Sequence, residues 1–262
     1  MQIKAKKSLG QNFLVDKNIL EKISNSCEIN KSTEILEIGP GTGNLTDYLF
    51  KKKPNKIYLV EKDKNLVNIL KDKFKDEIDI FNEDILNFNK KNIFSKNLLI
   101  FGNLPYNISS QILVKLIINK EKYEYKKLIF MFQKELADRI ISNVNSKNYG
   151  RLSILANWKF DIKKLMDINP TCFFPKPKVK SSLLIFTPKV KIFKLKNPES
   201  LEHVTKVFFS QRRKKIKKPF NILFNKNLEI ADKLKLNLDL RPQNITHELF
   251  YKITEEFENL IQ

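Results

Sequence analysis

Leu98-Leu99-Ile100-Phe101-Gly102-Asn103-Leu104-Pro105-Tyr106 is the stretch that decides the fold of this 262-residue chain. Its apolar first half predicts a buried strand, and residues 109–119 predict a helix. Strand, tight turn and helix make the repeating unit of an open α/β sheet, which places its ligand crevice at the carboxyl ends of the strands. The four turn residues differ in kind. The Asn103 carboxamide both accepts and donates hydrogen bonds. Pro105 stiffens the turn and extends Leu104. Tyr106 offers a flat face for a base. An acceptor, fixed carbonyls and an aromatic plane suit the exocyclic amine of a nucleobase. Taken alone, the same residues describe an ordinary strand-to-helix turn with an Asn cap and a packed Tyr.

The surrounding chain repeats the unit. Asp16 reads as the N-cap of a helix through Ile19, Leu20 and Ile23. Ile35-Leu36-Glu37-Ile38 is a strand, followed by Gly39-Pro40-Gly41-Thr42-Gly43 and a helix through Leu45, Tyr48 and Leu49. Further strands are expected at 56–60, ending at Glu61, at 78–81, just before Asp84, and at 128–132, leading into a helix from Lys134. Closing strands at 160–165 and 182–187 flank a loop holding Pro170, Pro175 and Pro177. Residues 90–97 read as a surface loop. This alternation argues for a largely parallel sheet covered on both faces. From Pro198 onward only helical spacing and turn signals occur, as in Leu201-Val204-Val207-Phe208. The expected organisation is residues 1–190 with an N-terminal arm, then a small helical domain over 191–262.

Three of the six glycines lie between Gly39 and Gly43. After a strand and before a helix, such a loop lets a ligand approach the backbone. The spacing is G-x-G-x-G, not the dinucleotide fingerprint, and Pro40 removes an N–H that a pyrophosphate could use. That favours a nucleoside ligand without a diphosphate, such as S-adenosylmethionine. Glu61, about 20 residues on, can accept both ribose hydroxyls. Asp84 can accept the adenine amine. Each feature is weak alone. Gly39, Gly41, Glu61, Asp84 and Asn103 at four successive strand ends converge on one crevice.

A net charge of +20 points to a polyanionic partner, nucleic acid before membrane. Part of the lysine excess fits an AT-rich coding sequence, so clusters carry more weight than the total. Arg212, Arg213, Lys214, Lys215, Lys217 and Lys218 put six cations into seven positions. Lys176, Lys178 and Lys180 alternate along the Pro-rich loop. Both groups suit phosphate contacts, which position RNA without reading its sequence. Two cysteines and two histidines are too few and too scattered for a metal site. No apolar run approaches ~18 residues, and residues 1–7 lack the apolar core of a secretory signal. A cytoplasmic, monomeric protein with free thiols and no membrane partner is expected.

These blocks resemble the rRNA adenine N6,N6-dimethyltransferase family over nearly the whole chain. Lys7-Ser8-Leu9-Gly10-Gln11-Asn12-Phe13-Leu14 is similar to its N-terminal motif, which implies cofactor contacts at Asn12 and Leu14. Glu37-Ile38-Gly39-Pro40-Gly41-Thr42-Gly43 resembles the methionine-end loop, Glu61 the ribose acid and Asp84 the adenine acid. Asn103, Leu104, Pro105 and Tyr106 resemble the catalytic motif. Residues 173–181 resemble the late motif, whose first Phe, here Phe173, faces the target base. Residues 208–215 resemble the opening of a small C-terminal domain. Lys180 departs from the pattern, since the family commonly carries Asp there, and this makes the loop more basic.

The resemblance implies a Rossmann-like class I methyltransferase with a mostly parallel seven-stranded sheet and a small all-helical C-terminal domain. It implies dimethylation of two adjacent adenosines near the 3′ end of small-subunit rRNA, in a pre-ribosomal small subunit, from S-adenosylmethionine. The Asn103 side-chain oxygen and the Leu104 carbonyl would then accept the two N–H bonds of the adenine amine. Tyr106 and Phe173 would sandwich the extruded base. A large-subunit enzyme of the macrolide-resistance type commonly has Ile at position 104. A non-catalytic nucleic-acid-binding factor would not need Asn103, Tyr106, Gly39 and Glu61 intact.

Overall fold

The computed structural model describes residues 5–6, 9–89, 93–94, 97–118 and 124–261. Lys7 and Ser8 of the arm, residues 90–92, 95 and 96 of the expected loop, and Asn119 of the expected helix lie outside the described residues.

In chain order the elements are β1 (Phe13–Leu14), α1 (Lys17–Ser24), β2 (Glu34–Ile38), α2 (Asn44–Phe50), β3 (Lys56–Glu61), α3 (Lys64–Phe74), β4 (Asp79–Asn82), β5 (Leu98–Asn103), α4 (Ser109–Ile118), β6 (Tyr125–Gln133), α5 (Lys134–Ile140), α6 (Arg151–Lys159), β7 (Phe160–Ile168), β8 (Phe173–Phe174), β9 (Ser181–Pro188), α7 (Pro198–Phe208), α8 (Lys217–Phe224), α9 (Leu228–Lys233) and α10 (His247–Leu260). The chain divides into two compact units.

The first unit comprises Met1–Lys115, Glu121–Ala137 and Ile162–Pro188. Its seven-stranded sheet runs β4-β3-β2-β5-β6-β9-β7. Strands β4, β3, β2, β5 and β6 are parallel, and β9 is antiparallel to β6. Strands β2 and β5 are almost wholly buried, as expected of a parallel sheet covered on both faces. The order reverses at β2, whose neighbours are β3 and β5. That reversal is the topological switch point, where neighbouring loops splay apart and open a crevice. Register brings the loop origins level: Ile38 stands beside both Val60 and Gly102, and Glu61 beside Asn82.

Asp16 caps α1, accepting from the Ile19 N–H at 3.0 Å, as its sequence position predicts. A second, two-stranded sheet pairs β1 with β8, and no sequence pattern announced it. Leu14 faces Phe173 and Phe13 faces Phe174 across this ribbon.

The second unit comprises Leu116–Lys120, Asp138–Asp161 and Lys189–Gln262. Every helix after residue 189 belongs to it, and so does α6. The helical unit thus takes in α6 from ahead of residue 190. Phe208 stacks edge-on against Phe250 at 5.5 Å, and Phe220 lies 4.8 Å from Phe224. Buried Glu258 accepts from the N–H groups of Lys196 and Asn197, at 2.8 Å each. Among the described residues no helix is long and apolar enough to cross a membrane.

Candidate active site

The crevice above the switch point holds a cavity of about 280 Å³. Asn12, Leu14, Gly39, Gly41, Glu61, Asp84 and residues 103–106 all line it. Of the expected cofactor and catalytic residues only Phe173 does not.

Gly39 follows β2 with φ +65°, and a Cβ there would project between the Asn103 carbonyl oxygen (3.8 Å) and Pro105 Cδ (3.9 Å). A side chain at 39 would therefore fill the space between the two loops. At Gly41, φ is +61° and a Cβ would meet the Phe13 ring at 2.8 Å. Only glycine tolerates both the backbone and the contact.

Glu61 ends β3 and is nearly buried. Its Oε2 accepts from the Gly41 N–H at 3.2 Å and its Oε1 from the Asp63 N–H at 2.9 Å. Burial raises this carboxyl above its usual range, against the pull of those N–H groups. Each oxygen keeps a second lone pair for a ribose hydroxyl. Asp84 accepts from Lys62 Nζ at 2.8 Å and from the Leu86 N–H at 2.9 Å. Burial pushes it up, but these partners outweigh burial and leave it below the usual range. Glu37 lies beneath the glycine loop, buried, with Oε2 accepting from the Thr46 hydroxyl at 2.7 Å. Burial lifts its carboxyl to about 7, partly opposed by Thr46.

The 103–106 turn is held from three sides. Asn103 Nδ2 donates to the Asn12 carbonyl at 2.7 Å, which leaves Oδ1 as the acceptor. Tyr106 shares a 2.5 Å hydrogen bond between its hydroxyl and Ser181 Oγ. Leu104 is buried and rests over Gly102, where a Cβ would meet its Cδ2 at 2.6 Å.

The arm closes another side. Asp63 accepts from Lys6 Nζ at 2.7 Å and from Gln11 Nε2 at 3.0 Å. Asn44 Nδ2 donates to the Leu14 carbonyl at 2.8 Å. Asp63, Gln11, Ser181 and Gly102 were missed by sequence reasoning as supports of the site. Asp63 had one legible signal, its place as the N-cap of α3.

Phe173 requires a correction. The resemblance set its ring against the target base, yet it is 3% exposed and belongs to the core with Leu14 and Ile168. The cause is the β1–β8 ladder: opposite residues share a face, so pairing with Leu14 sends Phe173 into the core. Its neighbour Phe174 is 62% exposed.

Lys176 and Lys178 are exposed, as are Arg213, Lys214 and Lys215. Arg212 is half-buried and donates to the carbonyls of Ser146 and Lys147. Lys215 pairs with Asp239 at 2.7 Å. Arg212 thus has a structural task within the helical unit besides any contact with phosphate.

Comparison with known proteins agrees with this geometry. A family model described as ribosomal RNA adenine dimethylase matches residues 2–259. Ribosomal RNA small subunit methyltransferase A of Pelagibacter ubique (strain HTCC1062) is 54% identical over 261 residues, 99% of each chain. The protein of that name from Malacoplasma penetrans (strain HF-2) is 41% identical over 98% of this chain and 93% of its own. A crystal structure of a dimethyladenosine transferase from Plasmodium falciparum superposes with a TM-score of 0.80. It is 29% identical and covers 94% of this chain and 97% of its own.

Proposed function

The chain belongs to the ribosomal RNA adenine dimethylase family, and on that premise we propose how its crevice works. The protein dimethylates the N6 amines of two adjacent adenosines near the 3′ end of small-subunit rRNA, using S-adenosylmethionine, while the small subunit is being assembled. Such a substrate puts its action in the cytoplasm.

The residues present fit that methyl donor. Gly39 keeps open the space a Cβ would fill. Glu61 suits the ribose hydroxyls, Asp84 the adenine amine, and Asn12, Leu14 and Gly41 border the same cavity. When bound, the group supplies an electrophilic methyl on a sulfonium.

The chain's own residues supply positioning. The N6 amine is a poor nucleophile because its lone pair is delocalised into the ring. Asn103 Oδ1 and the Leu104 carbonyl accept its two N–H bonds, which favours a pyramidal nitrogen with its lone pair directed away from the acceptors. Neither a covalent enzyme intermediate nor a strong base is needed, so catalysis rests on orientation and fixed dipoles. Tyr106, its hydroxyl tied to Ser181, presents its ring to the extruded base. Phe173, locked in the core, is left out of that stack. Lys176, Lys178, Arg213, Lys214 and Lys215, with what Arg212 has to spare, grip phosphate. Residues 1–190 carry the chemistry and 191–262 help hold the RNA.

The observation that carries most weight is the 2.7 Å bond from Asn103 Nδ2 to the Asn12 carbonyl, because it dictates which end of the carboxamide remains to accept. The test is transfer of labelled methyl groups to small subunits lacking the modification, beside large subunits and naked DNA. Label confined to two neighbouring adenines of small-subunit rRNA is expected. Preferential labelling of large subunits, or none, would overturn the reading.

A further inference from the structure

The same ladder that buries Phe173 leaves its neighbour in solvent. Phe174 stands opposite Phe13, so both project from one face of the β1–β8 ribbon, while Leu14 and Phe173 share the other. Phe13, like Leu14, lines the donor cavity, and its ring abuts Gly41 of the glycine loop. Phe174 is 62% exposed on that same face. The loop beyond it carries Lys176, Lys178 and Lys180, all exposed, and residues 169–181 contain no acidic side chain. A flat ring bordered by alternating cations, on a chain of net charge +20, has the chemistry of a single-stranded nucleic-acid platform.

We propose that Phe174 stacks on an unpaired base of the RNA substrate that flanks the methyl-accepting adenine. This rests on the function proposed above and adds a contact to it. The ring seats a neighbouring nucleotide while the lysines hold its phosphates. It makes no contact with the reacting amine, so it acts in capture of the substrate and not in the chemical step.

The test compares wild type with Phe174→Ala, Phe174→Leu and Phe174→Trp in methyl transfer to unmodified small subunits. Base–aromatic stacking is strong enough for about a tenfold effect. Phe174→Ala is expected to raise KM for subunits about tenfold, leaving kcat, cofactor KM and thermal midpoint near wild type. Phe174→Trp should restore KM, and Phe174→Leu should not. The salt dependence of binding should keep its slope in Phe174→Ala, since no phosphate contact is lost. An unchanged KM in Phe174→Ala, a loss confined to kcat, or full rescue by Leu would overturn the proposal; rescue by Leu would instead mark a general apolar contact, such as one with a ribosomal protein. Wild-type transfer to the same subunits separately tests the underlying function.

Discussion

Asp63 and Lys6 stand 2.7 Å apart, carboxylate to ammonium, although 57 residues separate them in sequence. Gln11 joins the same carboxylate, and the Asp63 N–H leads on to Glu61. The arm and the end of β3 are therefore one hydrogen-bonded unit. Lys6→Met should loosen residues 9–14, seen as faster amide hydrogen exchange there, and raise the cofactor KM several-fold. Burial pushes the Asp63 carboxyl up, but Lys6 and Gln11 outweigh it and leave it below 3.8. The stability it contributes is present above 3.8 and fades as the pH falls through the lowered value. Arm protection should fade in the same direction, and protection that persists in Lys6→Met would deny the tie its role.

On the proposed reading, Asn103→Ala removes the acceptor for the amine as well as the anchor to Asn12. Turnover on small subunits should fall on the order of 100-fold or more, the scale of losing one preorganised polar contact. Donor binding, measured by calorimetry, should weaken much less. Asn103→Asp keeps an oxygen but sets a carboxylate against the Asn12 carbonyl, and should be about as inactive. Near-normal turnover in either variant would remove Asn103 from the chemistry.

Glu37 is buried with its carboxyl raised from 4.5 to about 7. A raised acid favours the folded state while protonated, so its contribution is complete below about 4.5 and is lost as pH rises through about 7. The loss is at most about 3 kcal/mol. Glu37→Gln keeps an oxygen for the Thr46 hydroxyl and carries no charge. Denaturant unfolding from pH 4.5 to 8 should show a flatter profile and a gain over wild type at the alkaline end. Parallel profiles would mean that Glu37 does not titrate in this window.

Gly102→Ala would put a methyl 2.6 Å from Leu104 Cδ2, 3.2 Å from Phe130 and 3.3 Å from the Ile38 carbonyl. Backbone and packed rings cannot all retreat, so a stability loss of about 1–3 kcal/mol is expected. The 103–106 turn must shift with Leu104, and on the proposed reading kcat should fall further than cofactor affinity. A fully active Gly102→Ala enzyme would show that the turn tolerates displacement.

Arg213 and Lys214 are exposed, whereas Arg212 also holds the carbonyls of Ser146 and Lys147. Arg213→Gln with Lys214→Gln should weaken subunit binding and reduce the salt slope by about 1 to 2. Arg212→Gln should in addition lower the thermal midpoint. An unchanged slope in the double variant would assign these residues to a passive surface.

The strands, the glycine loop and the four convergent strand ends were legible because each is a local signal: an apolar run, a turn residue, a terminal carboxylate. The supports were not, because they join distant segments. Asn103 meets Asn12 across 91 residues, and Tyr106 meets Ser181 across 75. Helix α6 escaped notice for another reason. Ser153, Ile154, Leu155 and Ala156 are all buried in succession, so it lacks the one-sided stripe by which an amphipathic helix is recognised. Phe173 was misread because two residues of strand are too short to display a period of two.

The two-residue ribbon of β1 and β8 yokes the segment that borders the donor cavity to the segment that carries the lysines. On the proposed reading each adenine takes two methyl groups, so spent donor leaves and fresh donor enters a cavity whose wall includes Phe13 and Leu14. Those two residues pair with Phe174 and Phe173, which stand directly ahead of Lys176 and Lys178 in the chain.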